Sequence, residues 1–366
     1  MSKFIVSGGG TGGHIFPAIA IANAILAKEP EAEILFVGAE GKMEMEKVPA
    51  AGFKIEGLPV RGFQRKLSFS NISVVIKLIQ SMFKAKAILK RFKPDVVVGV
   101  GGFASGPLLK GAQQLNIPTL IQEQNSYAGV TNKLLGKNAD KICVAYENME
   151  NFFPADKIIM TGNPVRKSIL ENKDNNKAEA YEYFKVVANK KIVLVVGGSL
   201  GALTINESMR SGIQKYIDKD IQLIWQTGKL YYPGVKDLQQ EFKDNGIVIT
   251  EFIMRMDLAY AIADVVISRA GASTVSELAL IHKPVIFVPS PNVAEDHQTK
   301  NAMALIQKDA AMMIEDVKAR EELVDASIEL INDEFRINAY EKNIASLGIE
   351  NSADTIAEEV FSIIKK

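Results

Sequence analysis

The chain has 366 residues, 47% of them hydrophobic and 23% charged, with 43 basic residues matched by 43 acidic ones. Zero net charge excludes a global electrostatic footprint for nucleic acid, and the lone cysteine, Cys143, excludes an intrachain disulfide and gives no sign of an oxidising compartment. The length suffices for two ordinary domains, and no uncharged apolar run is long enough to span a membrane.

The N-terminus enters a strand directly, without an apolar signal region, so a cytoplasmic protein is expected. After Phe4-Ile5-Val6 comes Ser7-Gly8-Gly9-Gly10-Thr11-Gly12-Gly13-His14, and then an Ala/Ile-rich segment with helical spacing, 18–27. Strand, glycine turn and helix in that order bring backbone N–H groups close to a ligand and present a helix start to negative charge. His14, the one titratable side chain in the loop, is the candidate catalytic group, with a locally hydrogen-bonded helix-start histidine as the bland alternative. Gly8, Gly10 and Gly13 also fit G-x-G-x-x-G, which admits a dinucleotide fold. The acidic residue that such a fold wants at the end of its second strand is matched only by Glu40, late and beyond a glycine.

Strands are expected at 3–7, 33–37, 53–56, 95–100, 118–122 and 140–144, alternating with helical segments as in parallel βαβ units. Cys143 falls in the last of these as a small core residue. From Gly57 to Pro94 no acidic residue occurs, while Arg61, Arg65, Lys66, Lys77 and Lys84 are among nine basic ones, interleaved with Phe63, Ile76, Ile79 and Phe83. Some of these apolar residues face a core. Ile76, Ile79 and Phe83, with Arg61, Arg65, Lys66 and Lys84, are expected to dock on anionic lipid, and a solvated basic helix is the alternative. A glycine-rich turn, Gly101-Gly102-Phe103, follows the 95–100 strand.

The second module opens after Gly162-Asn163-Pro164-Val165-Arg166. It repeats the theme with a strand at 191–196 and the turn Gly197-Gly198-Ser199-Leu200-Gly201, followed by strands at 221–226, 247–250, 264–268 and 284–288. Ser268-Arg269-Ala270-Gly271-Ala272-Ser273-Thr274 starts a helix whose N–H groups suit a diphosphate, and Glu277, one turn later, suits two ribose hydroxyls. Thr274 and Glu277 fit a capping box equally well. Asp296-His297-Gln298 suits sugar hydroxyls or a plain N-cap, and no metal-ligand spacing occurs.

Taken together these stretches, with Glu123-Gln124-Asn125, resemble the MurG family of bacterial peptidoglycan glycosyltransferases, in the right order over nearly the whole chain. The resemblance implies an α/β protein of the GT-B type, two Rossmann-like doubly wound domains facing across a cleft. Residues 1–163 would form the acceptor and membrane-associating domain, with the 347–366 helix a candidate to pack back on it, and 164–346 would form the UDP-GlcNAc-binding domain. It implies transfer of GlcNAc from UDP-GlcNAc to the C4 hydroxyl of MurNAc in lipid I, making lipid II. Thr11, Gly12 and Gly13 would lie by the donor phosphates and sugar, and Asn125 by the GlcNAc. Arg166 and Ser199 would bind nucleotide and diphosphate, and the Ile253 backbone would pair with uracil. Ala272, Ser273 and Thr274 would cap the diphosphate, Glu277 would hold the ribose, and Gln298, with His297 a further candidate, would read the sugar. Ser273 stands where some relatives carry leucine, and His297 and Thr299 where some carry arginine and glutamine, which blurs these individual contacts.

The expected chemistry is an inverting single displacement with His14 as base, no cofactor and no essential metal. Expected partners are UDP-GlcNAc, lipid I and the anionic inner-membrane surface, with other cell-wall synthesis or division proteins as candidates and no nucleic acid. The expected location is peripheral, on the cytoplasmic face of that membrane. The alternatives are a UDP-GlcNAc 2-epimerase, another GT-B glycolipid transferase, a nucleotide-sugar sensor and an NAD-dependent oxidoreductase.

Overall fold

The computed structural model describes residues 1–60, 70–166, 169 and 177–365, so Arg61, Arg65 and Lys66 lie outside the described residues. The chain divides into two units, Met1–Val165 with Ile349–Lys366, and Arg166–Gly348.

The first unit carries β1 (Lys3–Ser7), α1 (Gly12–Lys28), β2 (Glu33–Ala39), α2 (Glu44–Ala50), β3 (Lys54–Leu58), α3 (Ser70–Phe92) and β4 (Val96–Gly99). It continues through α4 (Ser105–Gln114), β5 (Thr119–Glu123), α5 (Val130–Gly136), β6 (Lys141–Val144) and β7 (Ile158–Met160). The seven strands form one sheet in the order β3-β2-β1-β4-β5-β6-β7, every pair parallel. Side chains of β1 alternate between its faces: Ile5 packs in a core with Val97, Leu108 and Ile121, and Phe4 and Val6 pack in another with Ile15 and Ile21 of α1. A sheet covered on both faces needs uninterrupted apolar strands, and Val96, Val97 and Val98 are fully buried.

The second unit carries α6 (Lys177–Phe184), β8 (Ile192–Val196), α7 (Leu203–Asp218), β9 (Gln222–Gln226), α8 (Lys236–Glu241), β10 (Ile247–Thr250), α9 (Met256–Ile262) and β11 (Val265–Ser268). Then follow α10 (Ala272–Leu280), β12 (Val285–Phe287), α11 (His297–Ile306), β13 (Met312–Met313), α12 (Ala319–Asn332) and α13 (Glu334–Ala345). Its parallel sheet runs β10-β9-β8-β11-β12-β13, the same winding as the first. The repeat extends to single hydrogen bonds. Asp95, just before β4, accepts the Lys3 N–H at the start of β1 at 2.7 Å, and Asp264, just before β11, accepts the Ile192 N–H at the start of β8 at 2.7 Å. Each aspartate joins the two strands between which the order reverses, and open α/β sheets bind ligands at the carboxyl end of that junction.

The last helix, α14 (Ser352–Ser362), belongs to the first unit. Its Ile356, Ala357 and Val360 are fully buried in the core that holds α1. Phe361 meets Phe4 edge-on, with ring centroids 5.4 Å apart, and Lys28 pairs with Glu358 at 2.8 Å. The expected strands all form, with ends shifted by a residue or two. β7 and β13, of three and two residues, are too short for a periodic signal and were not expected.

Candidate functional site

In the first unit the site begins where β1 ends. Residues 8–11 form the turn, with Gly10 in the left-handed region at φ +86°, and α1 starts at Gly12 with Thr11 as an extended N-cap. His14 therefore stands in the first helical turn, its Nδ1 3.1 Å from the Gly9 carbonyl and 3.4 Å from the Thr11 hydroxyl. The loop after β4 closes over the same imidazole. Gly101 adopts φ +100°, and a Cβ there would stand 2.7 Å from His14 Cδ2 and 2.8 Å from Nε2, so only glycine leaves the ring its place. Ser105 Oγ, 3.0 Å from the Ser7 carbonyl and 2.8 Å from that of Gly101, ties the two turns together from beneath. Thr11, Gly12, Gly13 and His14 are thus gathered at the carboxyl ends of β1 and β4.

Asn125 follows the carboxyl end of β5. Its backbone and side-chain nitrogens donate to Glu123 Oε1 at 3.1 and 3.2 Å, while Glu123 Oε2 accepts from the Gly129 N–H and from Asn132 Nδ2 at 3.0 and 2.9 Å. The buried Glu123 fixes the loop and the side chain of Asn125 within it.

In the second unit the equivalent turn follows β8. Gly198 and Gly201 have φ +92° and +87°, and the Ser199 carbonyl accepts the Lys229 N–H at 3.2 Å. After β11 the helix α10 starts on Gly271, an extended N-cap that makes no side-chain cap bond. Ala272, Ser273 and Thr274 form its first turn, whose N–H groups find no acceptor within the helix and carry the positive end of its dipole. The alternative reading of Thr274 and Glu277 as a capping box does not hold. Glu277 is buried, receives Arg166 Nε at Oε1 (3.0 Å) and Nη2 at Oε2 (3.2 Å), and accepts Tyr260 Oη at 3.3 Å. Burial pushes the Glu277 carboxyl above its usual range, and the Arg166 guanidinium pulls against that.

The Ile253 N–H donates to Gln226 Oε1 at 2.9 Å, and Gln298 Oε1 accepts the Ser290 N–H at 2.8 Å. His297 opens α11 behind Asp296, which sits at φ +51° and takes the Thr299 hydroxyl at 2.7 Å instead of capping the helix backbone. Arg269 anchors the neighbouring loop, donating to the carbonyls of Val288 (2.9 Å) and Pro289 (3.1 Å) and pairing with Asp316.

Comparison with known proteins matches residues 4–144 to the glycosyltransferase family 28 N-terminal domain and residues 192–360 to the family 28 C-terminal domain. A protein of Parabacteroides distasonis named UDP-N-acetylglucosamine--N-acetylmuramyl-(pentapeptide) pyrophosphoryl-undecaprenol N-acetylglucosamine transferase is 55% identical over 364 residues, covering 100% of this chain and 99% of its own. The chain belongs to glycosyltransferase family 28. A Bacteroides thetaiotaomicron protein of the same name is 54% identical over 363 residues, covering 99% of this chain and 97% of its own. The crystal structure of Acinetobacter baumannii MurG superposes with a TM-score of 0.79 at 27% identity, over 99% of this chain and 100% of that one.

Beyond the glycine turns, this family 28 chain exposes an apolar face on α3. Ile76, Ile79 and Phe83 follow at i, i+3 and i+7 and are 51%, 52% and 73% exposed, while Ala85, Ile88 and Leu89 on the opposite side are buried in the core. Lys84 beside them pairs with Glu40 at 2.8 Å, and Arg91 pairs with Glu56, so acidic residues from outside the 57–94 stretch relieve part of its charge. Val130 and Leu134 on α5 are also exposed, and α4 packs against both α3 and α5. Among the described residues no helix is long and apolar enough to cross a membrane. Sequence reasoning gave no role to Ser105, Glu123 or Tyr260: Ser105 meets Ser7 and Tyr260 meets Glu277 only through the fold, and Glu123 holds Asn125, Gly129 and Asn132 by a loop conformation that no local pattern announces.

Proposed function

We propose that this enzyme transfers GlcNAc from UDP-GlcNAc to the C4 hydroxyl of MurNAc in lipid I, forming lipid II with inversion at the anomeric carbon. The observation that carries the reading is the likeness, over the full length of both chains, to transferases bearing that name. His14 acts as the base: Nε2 takes the proton of the C4 hydroxyl as its oxygen attacks the anomeric carbon and the bond to UDP breaks. The charge gathering on the leaving diphosphate is met by the first turn of α10, at Ala272, Ser273 and Thr274, and by the turn at 197–201. These fixed dipoles need no reorganisation as the bond breaks and no metal. Arg166 and Ser199 flank the nucleotide, Glu277 accepts from the ribose hydroxyls, the Ile253 backbone reads uracil, and Gln298 and His297 read the sugar, with Thr11, Gly12, Gly13 and Asn125 on the acceptor-side unit.

The exposed face of α3 docks on anionic lipid, which brings the enzyme to its membrane-embedded acceptor on the inner face of the cytoplasmic membrane. A 2-epimerase, which needs no lipid acceptor, has no use for that face. The test is UDP release from UDP-GlcNAc in EDTA, with and without a short-chain lipid I analogue. Release only with the analogue supports the transferase. Acceptor-independent conversion to UDP and ManNAc overturns it in favour of the epimerase, and absolute dependence on added metal overturns the metal-free account.

A further inference from the structure

Glu44, at the start of α2, is 1% exposed, a burial seldom tolerated by a carboxylate unless its oxygens are hydrogen-bonded. Oε1 accepts the Ala39 N–H at the end of β2 at 3.0 Å, and Oε2 accepts the Gly10 N–H at 2.9 Å. Three glycines make room for this arrangement. A Cβ on Gly9 would stand 2.1 Å from Glu44 Oε1, one on Gly38 2.6 Å from Glu44 Cγ, and one on Gly102 2.5 Å from the Gly9 carbonyl oxygen.

The Gly10 N–H and the Gly9 C=O belong to one peptide group. That peptide is trans, so its N–H and C=O point in opposite directions. Glu44 holds the N–H end, and the C=O end faces His14 Nδ1 at 3.1 Å. A carbonyl oxygen only accepts, so this contact is a hydrogen bond only if Nδ1 carries the proton; the other tautomer would set two lone pairs against each other. With Nδ1 protonated, Nε2 is the basic nitrogen. A carboxylate on the N–H side also polarises the peptide and strengthens its carbonyl as an acceptor, and that gain is largest when the ring becomes imidazolium.

We propose that Glu44 is a positioning residue for catalysis, acting on His14 through the Gly9–Gly10 peptide to hold the Nδ1–H tautomer and to steady the imidazolium as Nε2 takes the acceptor's proton. The role matches that of the orienting carboxylate in a hydrolase triad, with one peptide group interposed. It rests on the reading of His14 as base.

The test combines a spectrum with a double-mutant cycle. The chain has three histidines, so ¹⁵N-histidine spectra of the wild-type enzyme and of His14→Ala assign the His14 ring. The expected wild-type signature is a protonated Nδ1, shifting toward the Nε2–H form in Glu44→Gln; a wild-type ring protonated at Nε2 overturns the proposal without any Glu44 variant having to fold. In turnover, Glu44→Gln is expected to lower kcat roughly 10- to 100-fold while KM for UDP-GlcNAc stays within about twofold. In a His14→Ala background the same change is expected to leave kcat unaltered. An equal loss in both backgrounds, or a lowered melting temperature with unchanged kcat, makes Glu44 merely structural and overturns the relay while His14 stands as base. Near-normal turnover by His14→Ala overturns the base itself, and the relay with it.

Discussion

At the scale of single residues, Glu277 shows how one side chain carries a pH dependence. Its carboxyl is raised by burial, so any stability it lends the fold is full at acid pH and is lost as pH rises through the folded value. In its proposed role Glu277 accepts from both ribose hydroxyls, which favours the ionised form. UDP-GlcNAc, whose diphosphate has no group titrating near neutrality, is therefore expected to lose affinity as pH falls, with the onset above the ordinary carboxylate range. Glu277→Gln should bind about 1.5–3 kcal/mol more weakly and show no such pH dependence; calorimetric titration from about pH 8 to pH 5 checks both. Cys143 behaves differently. Burial pushes its thiol up to about 12, so the stability it contributes is intact below the unfolded thiol value and drains away as pH rises toward 12. Native protein is expected to be inert to a thiol reagent at neutral pH and to react with one equivalent once denatured, which a colorimetric thiol assay reads directly.

Elements separate what the sequence discloses from what it withholds. The strands and glycine turns were legible because continuous valine runs and clustered glycines are local signals, and their repetition announced two modules. The environment of Glu277 was not, because Arg166 lies 111 residues away and Tyr260 on another helix, while the local spacing of Thr274 and Glu277 imitated a cap. Glu44 gave no signal at all: a glutamate beside Met43 and Met45 reads as surface, and only the fold shows that Gly9 and Gly38 were left small for it. Helix α3 is intermediate. Its apolar excess was legible, and the residues expected on its outer side, Ile76, Ile79 and Phe83, are the exposed ones, but the pairing of Lys84 with Glu40 and of Arg91 with Glu56 was not legible. Changing Ile76, Ile79 and Phe83 together to serine is expected to abolish most binding to vesicles of anionic phospholipid in a sedimentation assay. Because all three side chains are exposed, each change should alter folding stability by no more than about 0.5 kcal/mol. Unchanged sedimentation would remove α3 from the membrane account.

On the scale of the whole molecule, the first unit is assembled from both ends of the sequence. Stopping the chain after Gly348 removes Ile356 and Val360 from its core, about 1.5–3 kcal/mol for each fully buried side chain, and bares the face of α1 beneath them. The single tryptophan, Trp225, lies in the core of the second unit, its Nε1 bonded to Asn206 Oδ1 at 2.9 Å. Its fluorescence transition should therefore keep its midpoint in the truncated protein, while circular dichroism gains an earlier, separate transition. The same threading sets the order of events on the ribosome. Arg166–Gly348 is contiguous and can close as it emerges, whereas the residues translated first must wait for a helix translated after it. Throughout that interval the apolar face of α1 is a nascent surface without its cover, a natural point of engagement for holding chaperones. Premature termination anywhere before Ile349 leaves that face permanently open, so synthesis of this enzyme carries its own check on completeness.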